Sequence, residues 1–314
     1  MTLNLSLHQA SLPGLCPVAA AVESLAGAAG TEARGAIFTR REVVDFILDL
    51  TGYTVDQPLH RRKLLEPSFG NGDFLLPAIE RLLMAWKASG ESAQPIQALG
   101  ACIRAVELHR DTFGRTRAAV VACLRSVDIP EQAAVALADQ WLVHGDFLLA
   151  PLPDSFDMVV GNPPYVRQEL IPDALLAEYR SRYTTIYDRA DLYIPFIERS
   201  LGSLSRGGAL GFICADRWMK NRYGGPLRAL VARDFHLKVH VDMTDTPAFH
   251  SEVIAYPAII IITREKGNST RIAYRPSIDR QQLVTLAALL TARESPQAGD
   301  PVRDLAGVVS GAEP

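Results

Sequence analysis

Short apolar runs alternate along this chain with longer stretches whose apolar positions recur every three or four residues. The first helical pattern is Val18 to Ala26, inside an Ala-, Gly- and Leu-rich segment over residues 1–34. Arg40 to Leu50 follows, with Val43, Val44, Ile47 and Leu48 on one face and Thr39 placed as its N-cap. Leu64-Leu65 is a short strand, and a helix from Leu75 to Lys87 comes after the turn that ends it. Ile96 to Val106 reads as a helix end, a glycine and a strand that closes on Glu107. Helices over Asp111 to Ser126 and Glu131 to Gln140 precede the strand Trp141 to His144, which stops at Gly145-Asp146-Phe147.

The fourth run, Phe156 to Val160, breaks off at Asn162-Pro163-Pro164-Tyr165. A long segment to Arg189 leads to a helix over Asp191 to Leu204. A strand from Ala209 to Cys214 follows the Gly207-Gly208 turn, then a helix over Pro226 to Arg233. Strands over Leu237 to Asp242, Val253 to Thr263 and Arg271 to Tyr274 complete the pattern. Strands alternating with helices at this spacing predict an α/β fold with one doubly wound, mostly parallel, Rossmann-like sheet covered on both faces. The expected division is an N-terminal helical extension over 1–34, a catalytic domain over 35–275, and a C-terminal helix and tail over 276–314.

Composition narrows the partners. A chain of 314 residues, 48% hydrophobic, can bury one large core with an appendage. Its net charge of -3 offers no global attraction to a polyanion, so contact with nucleic acid has to come from local basic patches. Cys16, Cys102, Cys123 and Cys214 lack metal-type spacing and a paired framework, which points to reduced thiols and a cytoplasmic setting, with no metal site. The N-terminus lacks a basic leader region, and the longest apolar run, Val253 to Ile262, is too short to span a bilayer.

Candidate chemistry gathers at the strand ends. Ligands of doubly wound sheets sit beyond the carboxyl ends of the strands, where the winding direction reverses. The loops after the first and fourth strands should therefore open onto one crevice. Gly70 and Gly72 allow a tight turn and close approach of a ligand, but Glu66-Pro67-Ser68-Phe69-Gly70-Asn71-Gly72 is neither a dinucleotide fingerprint nor a P-loop. Glu66 would repel a phosphate and welcome an ammonium. Glu107 is placed for a ribose diol and Asp146 for an adenine amine. Ammonium, ribose and adenine together describe S-adenosylmethionine.

Asn162-Pro163-Pro164-Tyr165 adds a second requirement. Prolines hold the residues before them extended, so the Asn162 side-chain carbonyl and the Pro163 main-chain carbonyl form two acceptors in one concavity beside the Tyr165 ring. A planar amino group, with two donors and a π-face, suits such a pocket. A Pro-rich turn with a capping Asn would give the same four residues without any chemistry.

The order of these pieces resembles the gamma-class DNA adenine-N6 methyltransferases, closest to the TaqI-like methylases and the methylase halves of type IIG restriction–modification enzymes. The resemblance covers roughly Gly35 to Arg275. It implies cofactor contacts from Thr39, from Glu66, Pro67, Ser68, Gly70, Gly72 and Asp73 of the glycine-rich loop, and from Glu107, Asp146 and Phe147. Asn162 borders the same site, with Phe196 on the helix that lines the adenine side. Asn162, Pro163, Pro164 and Tyr165 would grip a flipped adenine, and Phe249, followed by Ser251-Glu252-Val253, would help to hold it. Arg217, Lys220, Arg222 and Arg228 form a locally basic stretch placed for double-stranded DNA, with a solvated helix face as the bland alternative.

The chain departs from that family in two respects. Arg40 stands where a proline usually follows the Thr. Only about forty residues follow Tyr274, too few for a target-recognition region, so 276–314 reads as the start of a missing one, or target reading belongs to a separate specificity or nuclease subunit. A methyltransferase acting on a protein glutamine amide or an rRNA base amine would use the same loop, and an inactive cofactor-binding scaffold subunit would retain it.

Overall fold

The central apolar runs are buried on both sides because helices cover both faces of one sheet. In a computed structural model the structure describes residues 16–27, 37–91, 93–153, 155–250 and 256–309. The strands are β1 (Leu64–Glu66), β2 (Ile103–Glu107), β3 (Leu142–His144), β4 (Phe156–Gly161), β5 (Leu204–Ala215), β6 (His236–Asp242), β7 (Pro257–Thr263), β8 (Ser269–Tyr274) and β9 (Val302–Ala306). They lie in the order β3-β2-β1-β4-β5-β7-β6-β8-β9. β1 pairs in parallel with both β2 and β4, with Leu64 opposite Ile103 on one side and Met158 on the other. The winding reverses there, and the crevice lies between the carboxyl ends of β1 and β4, as the pattern predicts.

The helices are α1 (Pro17–Ala26), α2 (Arg41–Leu50), α3 (Leu75–Ser89), α4 (Pro95–Leu99), α5 (Arg110–Arg125), α6 (Glu131–Trp141), α7 (Asp173–Arg182), α8 (Tyr193–Gly202), α9 (Gly225–Asp234) and α10 (Arg280–Thr291). The two-residue period of β7 divides its isoleucines between two cores. Ile259 and Ile261 face a core shared with α2, α3, α5, α6 and α10, while Ile260 and Ile262 face one shared with α1, α7, α8 and α9. Helix α2 lies directly on β5. A Cβ at Gly211 would come within 2.4 Å of Thr51 Cγ2 and 3.0 Å of Ile47 Cγ2, so only glycine allows this approach.

The structure departs from the sequence pattern in several places. Helix α2 begins at Arg41 with Arg40 as its N-cap and no side-chain cap, so Thr39 is free for other bonds. β5 starts at Leu204, before the expected turn, and Gly207 (φ 74°) lies in an irregular stretch of the strand. The pairing accordingly jumps from Phe156–Leu204 to Met158–Ala209. A helix, α7, forms in the long segment after Tyr165 that carried no assignment. β7 runs antiparallel to both β5 and β6. Residues 276–314, expected to begin another region, instead complete this domain over their described part. α10 packs on α2 with Leu283, Leu286 and Leu290 buried, and β9 pairs with β8. Gly35, Ala36 and Ser251 to Val253 lie outside the described residues, as do most of residues 1–34.

Leu290→Ala would empty a buried position under α10. It should lower the unfolding free energy by about 2–5 kcal/mol, read as a fall in the denaturant midpoint. An unchanged midpoint would mean that the helix is not part of this core.

Candidate active site at the carboxyl ends of β1 to β4

The turn after β1 is shaped by backbone bonds made before any ligand is considered. Phe69 N donates to Val106 O (3.0 Å), and Gly70 N donates to Glu107 Oε2 (2.9 Å). Thr116 Oγ1 closes the turn by donating to Gly70 O (2.7 Å). Gly70 (φ 50°) and Gly72 (φ 89°) take left-handed conformations that a side chain would resist. Above the turn opens a cavity of about 350 Å³, within the usual range for small-molecule sites.

Its walls include Thr39, Glu66, Pro67, Ser68, Gly70 and Asp73 from the front of the sheet. Glu107, Asp146, Phe147, Asn162, Pro164 and Phe196 line it as well, so nearly every residue expected to hold the cofactor meets in one place. Gly72 does not line it; a Cβ there would press on Leu76 and Thr116, so its part is to shape the turn. Leu25, His109 and Tyr179 also line the cavity, and sequence reasoning missed them.

The electrostatics of the floor favour a cation. Glu66 is 1% exposed, and its Oε2 has no hydrogen-bond partner. Burial, then the nearby carboxylates of Asp73 and Glu107, push its pKa well above the ordinary carboxyl value. Asp73 is also raised, by burial first, although Thr39 N donates to its Oδ2 (2.9 Å). Glu107 accepts from Gly70 N and, through Oε1, from His109 N (2.7 Å), which fixes the carboxylate at the end of β2.

On the far side, Phe147 and Phe196 lie with ring centroids 4.9 Å apart, beside Asp146. Asp146 Oδ1 accepts from Leu148 N (2.8 Å) and Oδ2 accepts from the Tyr179 hydroxyl. Burial raises its pKa, and those two bonds oppose the rise. The guanidinium of Arg199 covers the Phe147 ring at 4.8 Å.

Asn162 is fixed by its amide nitrogen. Nδ2 donates to Ile37 O (2.9 Å) and to Thr39 Oγ1 (3.2 Å), while Oδ1 is buried with no partner. The acceptor expected of this loop is therefore present and unused. Pro163 is buried, and Tyr165 is half-buried beside Tyr193 at 6.4 Å between ring centroids.

Two expectations require correction. Phe249 is 7% exposed, packs into the core with α2, and does not line the cavity. Its main chain bridges to Thr39, and its carbonyl accepts from Arg40 Nε (3.1 Å), so it anchors the segment that carries Thr39. Arg228 is 6% exposed and donates to the carbonyls of Trp218 (2.6 Å) and Asn221 (2.9 Å), so it is not a surface phosphate contact. Arg217 and Arg222 are exposed, while Lys220 is held by Asp216 (2.5 Å).

Residues 131–249 match the family model of the Eco57I restriction-modification methylases. The chain is 69% identical over 307 residues to the Type II methyltransferase M.PaeR7I of Pseudomonas aeruginosa, covering 98% of this chain and 54% of that protein. It is 55% identical to M.XhoI of Xanthomonas vasicola over 287 residues, 90% of this chain and 52% of that one. Among solved structures, a putative class I S-adenosylmethionine-dependent methyltransferase from Listeria monocytogenes superposes with a TM-score of 0.57 at 15% identity, covering 87% of this chain and 75% of that one. The fold is thus that of the class I S-adenosylmethionine-dependent methyltransferases. Over most of its length the chain is similar to type II methyltransferases, and it spans about half the length of the curated relatives it matches.

A raised folded pKa means that native Glu66 keeps a proton the unfolded chain has released. The stability this contributes is full below the unfolded value, about 4.3, and is lost as pH rises through the folded value. Without ligand, Glu66→Gln should therefore exceed the parent protein in melting temperature at neutral pH and lose less of it between acid and neutral pH. Parallel calorimetric pH series for the two proteins would eliminate this account of Glu66 if the curves ran together.

Proposed function

We propose that this protein transfers a methyl group from S-adenosylmethionine to the exocyclic N6 amine of an adenine flipped out of double-stranded DNA, acting in the cytoplasm as the modifying part of a restriction–modification or phage-defence system. The observation that carries the reading is the unpaired, buried Asn162 Oδ1 beside a cavity whose floor holds Glu66 with an unpaired carboxyl oxygen. A buried acceptor without a partner costs about 1–3 kcal/mol, and a bound donor recovers it.

The residues fit S-adenosylmethionine. Glu66 would meet its cationic end, Glu107 its ribose diol, Asp146 its adenine amine, and Phe147 with Phe196 the adenine ring. When bound, it supplies an electrophilic methyl group on sulfur. Asn162 then does the work on the substrate side. The lone pair of an adenine amine is delocalised into the ring, so the amine is a weak nucleophile. Asn162 Oδ1 and the Pro163 carbonyl, accepting from its two hydrogens, would localise that lone pair and aim it. The amide cannot turn away, because Ile37 O and Thr39 Oγ1 hold its nitrogen. This is preorganised positioning, and it needs no strong base at the amine.

A base inside a duplex is out of reach, so the nucleotide must leave the stack, and the Tyr165 ring offers it a new face. Around the loop, Arg217 stacks over Tyr256 at 5.9 Å and Arg222 donates to the Tyr187 hydroxyl (3.4 Å). These side chains, with Lys220, are the phosphate contacts we assign. Target reading we assign to protein beyond this span or to a separate specificity subunit, with a nuclease as the other partner of such a system.

Asn162→Ala should slow methyl transfer to duplex DNA by on the order of a hundredfold, by analogy with losing one preorganised hydrogen-bond partner. S-adenosylhomocysteine should bind the variant nearly as before. Single-turnover assays with tritiated cofactor and isothermal titration separate the two effects, and a parental transfer rate would end the proposal.

Arg217→Ala and Arg222→Ala should each reduce the salt slope of DNA binding by about one. Arg228→Ala should leave that slope alone and lower the melting temperature instead. Equal slopes in all three variants would remove this surface from the interface.

A further inference from the structure

We infer that Tyr179 is a positioning residue that holds the Asp146 carboxylate as a fixed acceptor and thereby sets selectivity for the 6-amino group of the cofactor's adenine. The inference rests on the reading of Asp146 as the adenine ligand and goes one residue beyond it. Tyr179 lies on α7, a turn after Leu175, and is 1% exposed. Its hydroxyl reaches across to Asp146 Oδ2, and its side chain also lines the cavity.

With Leu148 N on Oδ1 and Tyr179 on Oδ2, the carboxylate cannot rotate, and the free lone pairs are left for the cavity. A second consequence concerns charge. Burial favours the neutral acid at Asp146, which would offer adenine a donor and only a weaker, uncharged acceptor for its amine. The Tyr179 hydroxyl opposes that by bonding to the charged form. It cannot lose its own proton in exchange, because burial and the adjacent carboxylate push the phenol far above its ordinary value. The other groups that face Asp146 are Arg182 and Tyr183 from the α7 side and Arg199 from α8. Tyr183 is occupied with Leu148 O (2.5 Å), and Arg199 with the carbonyls of Phe147 and Ala150. Among these described neighbours, Tyr179 is the one bonded to the carboxylate itself through a side chain.

The test compares S-adenosylhomocysteine with its 6-deamino analogue, in which hydrogen replaces the adenine amine, by isothermal titration across an acid-to-neutral pH series. Tyr179→Phe keeps the buried ring and removes the donor. It should reduce the preference for the amino ligand roughly tenfold. Because one influence that lowers the Asp146 pKa is gone, the preference should also disappear at a higher pH on acidification than in the parent protein. In an Asp146→Ala background, Tyr179→Phe should have no further effect on the preference. Replacing Tyr179 with 3-fluorotyrosine, nearly isosteric and a stronger donor, should move the pH midpoint down, and this decides the matter if the Phe variant does not fold. A Phe variant that weakens both ligands equally, or a fluorotyrosine protein with an unmoved midpoint, overturns the inference and leaves Tyr179 as packing. An Asp146→Ala protein that retains the parent's preference removes the adenine reading itself.

Discussion

Thr39 joins three parts of the chain that lie far apart in sequence. Its amide donates to Asp73 of the β1 loop, its hydroxyl accepts from Asn162 of the β4 loop, and its main chain bridges to Phe249 after β6. The site depends on this joint because neither loop is rigid in the direction that matters. Asn162 could rotate about its own side-chain torsions, and Asp73 could turn toward water. With Thr39 in place, the Asn162 carbonyl has one orientation, and the ligand cavity and the exposed face of the loop share a single frame. The helix that follows starts one residue later, with Arg40 as its N-cap and no side-chain cap.

Charge is separated across this joint. Glu66, Asp73 and Glu107 crowd the cavity floor, and the basic side chains of Arg217 and Arg222 lie on the outside. The acidic groups thus lie inside the cavity and these basic groups outside its lining. Inside the cavity, burial and the neighbouring carboxylates of Asp73 and Glu107 disfavour the charged form of Glu66 and favour its protonated form.

The placement of the strand-end residues was legible because each lies at or just after the end of a short apolar run, and position in a doubly wound sheet then fixes which crevice it borders. Glu66, Glu107, Asp146 and Asn162, picked this way, line one cavity. Tyr179 was not picked, since its partner Asp146 is 33 residues away and no periodic pattern links them. Its spacing from Leu175, one helical turn, was the available signal. Arg228 looked like a surface cation because composition cannot reveal a guanidinium folded back onto carbonyls. Phe249 was picked for its aromatic ring, and its main-chain bridge to Thr39 was not expected, because such a bridge leaves no trace in side-chain identity. The C-terminal helix was legible, but β9 was not, because it pairs at the sheet edge and buries only Val302.

The place of β7 between β5 and β6 has a consequence for how the chain matures. β5 and β6 both precede β7 in synthesis, yet neither pairs with the other, and each waits for the same later strand. Until Thr263 has left the ribosome, the nascent sheet has an apolar edge at β5 and an unattached β6, both templates for mispairing. The four strand ends that build the site can assemble earlier, since β1 to β4 neighbour one another without β7. A nascent chain would thus possess a shaped but unsupported crevice, and small molecules that fit it would act on folding before they could act on catalysis.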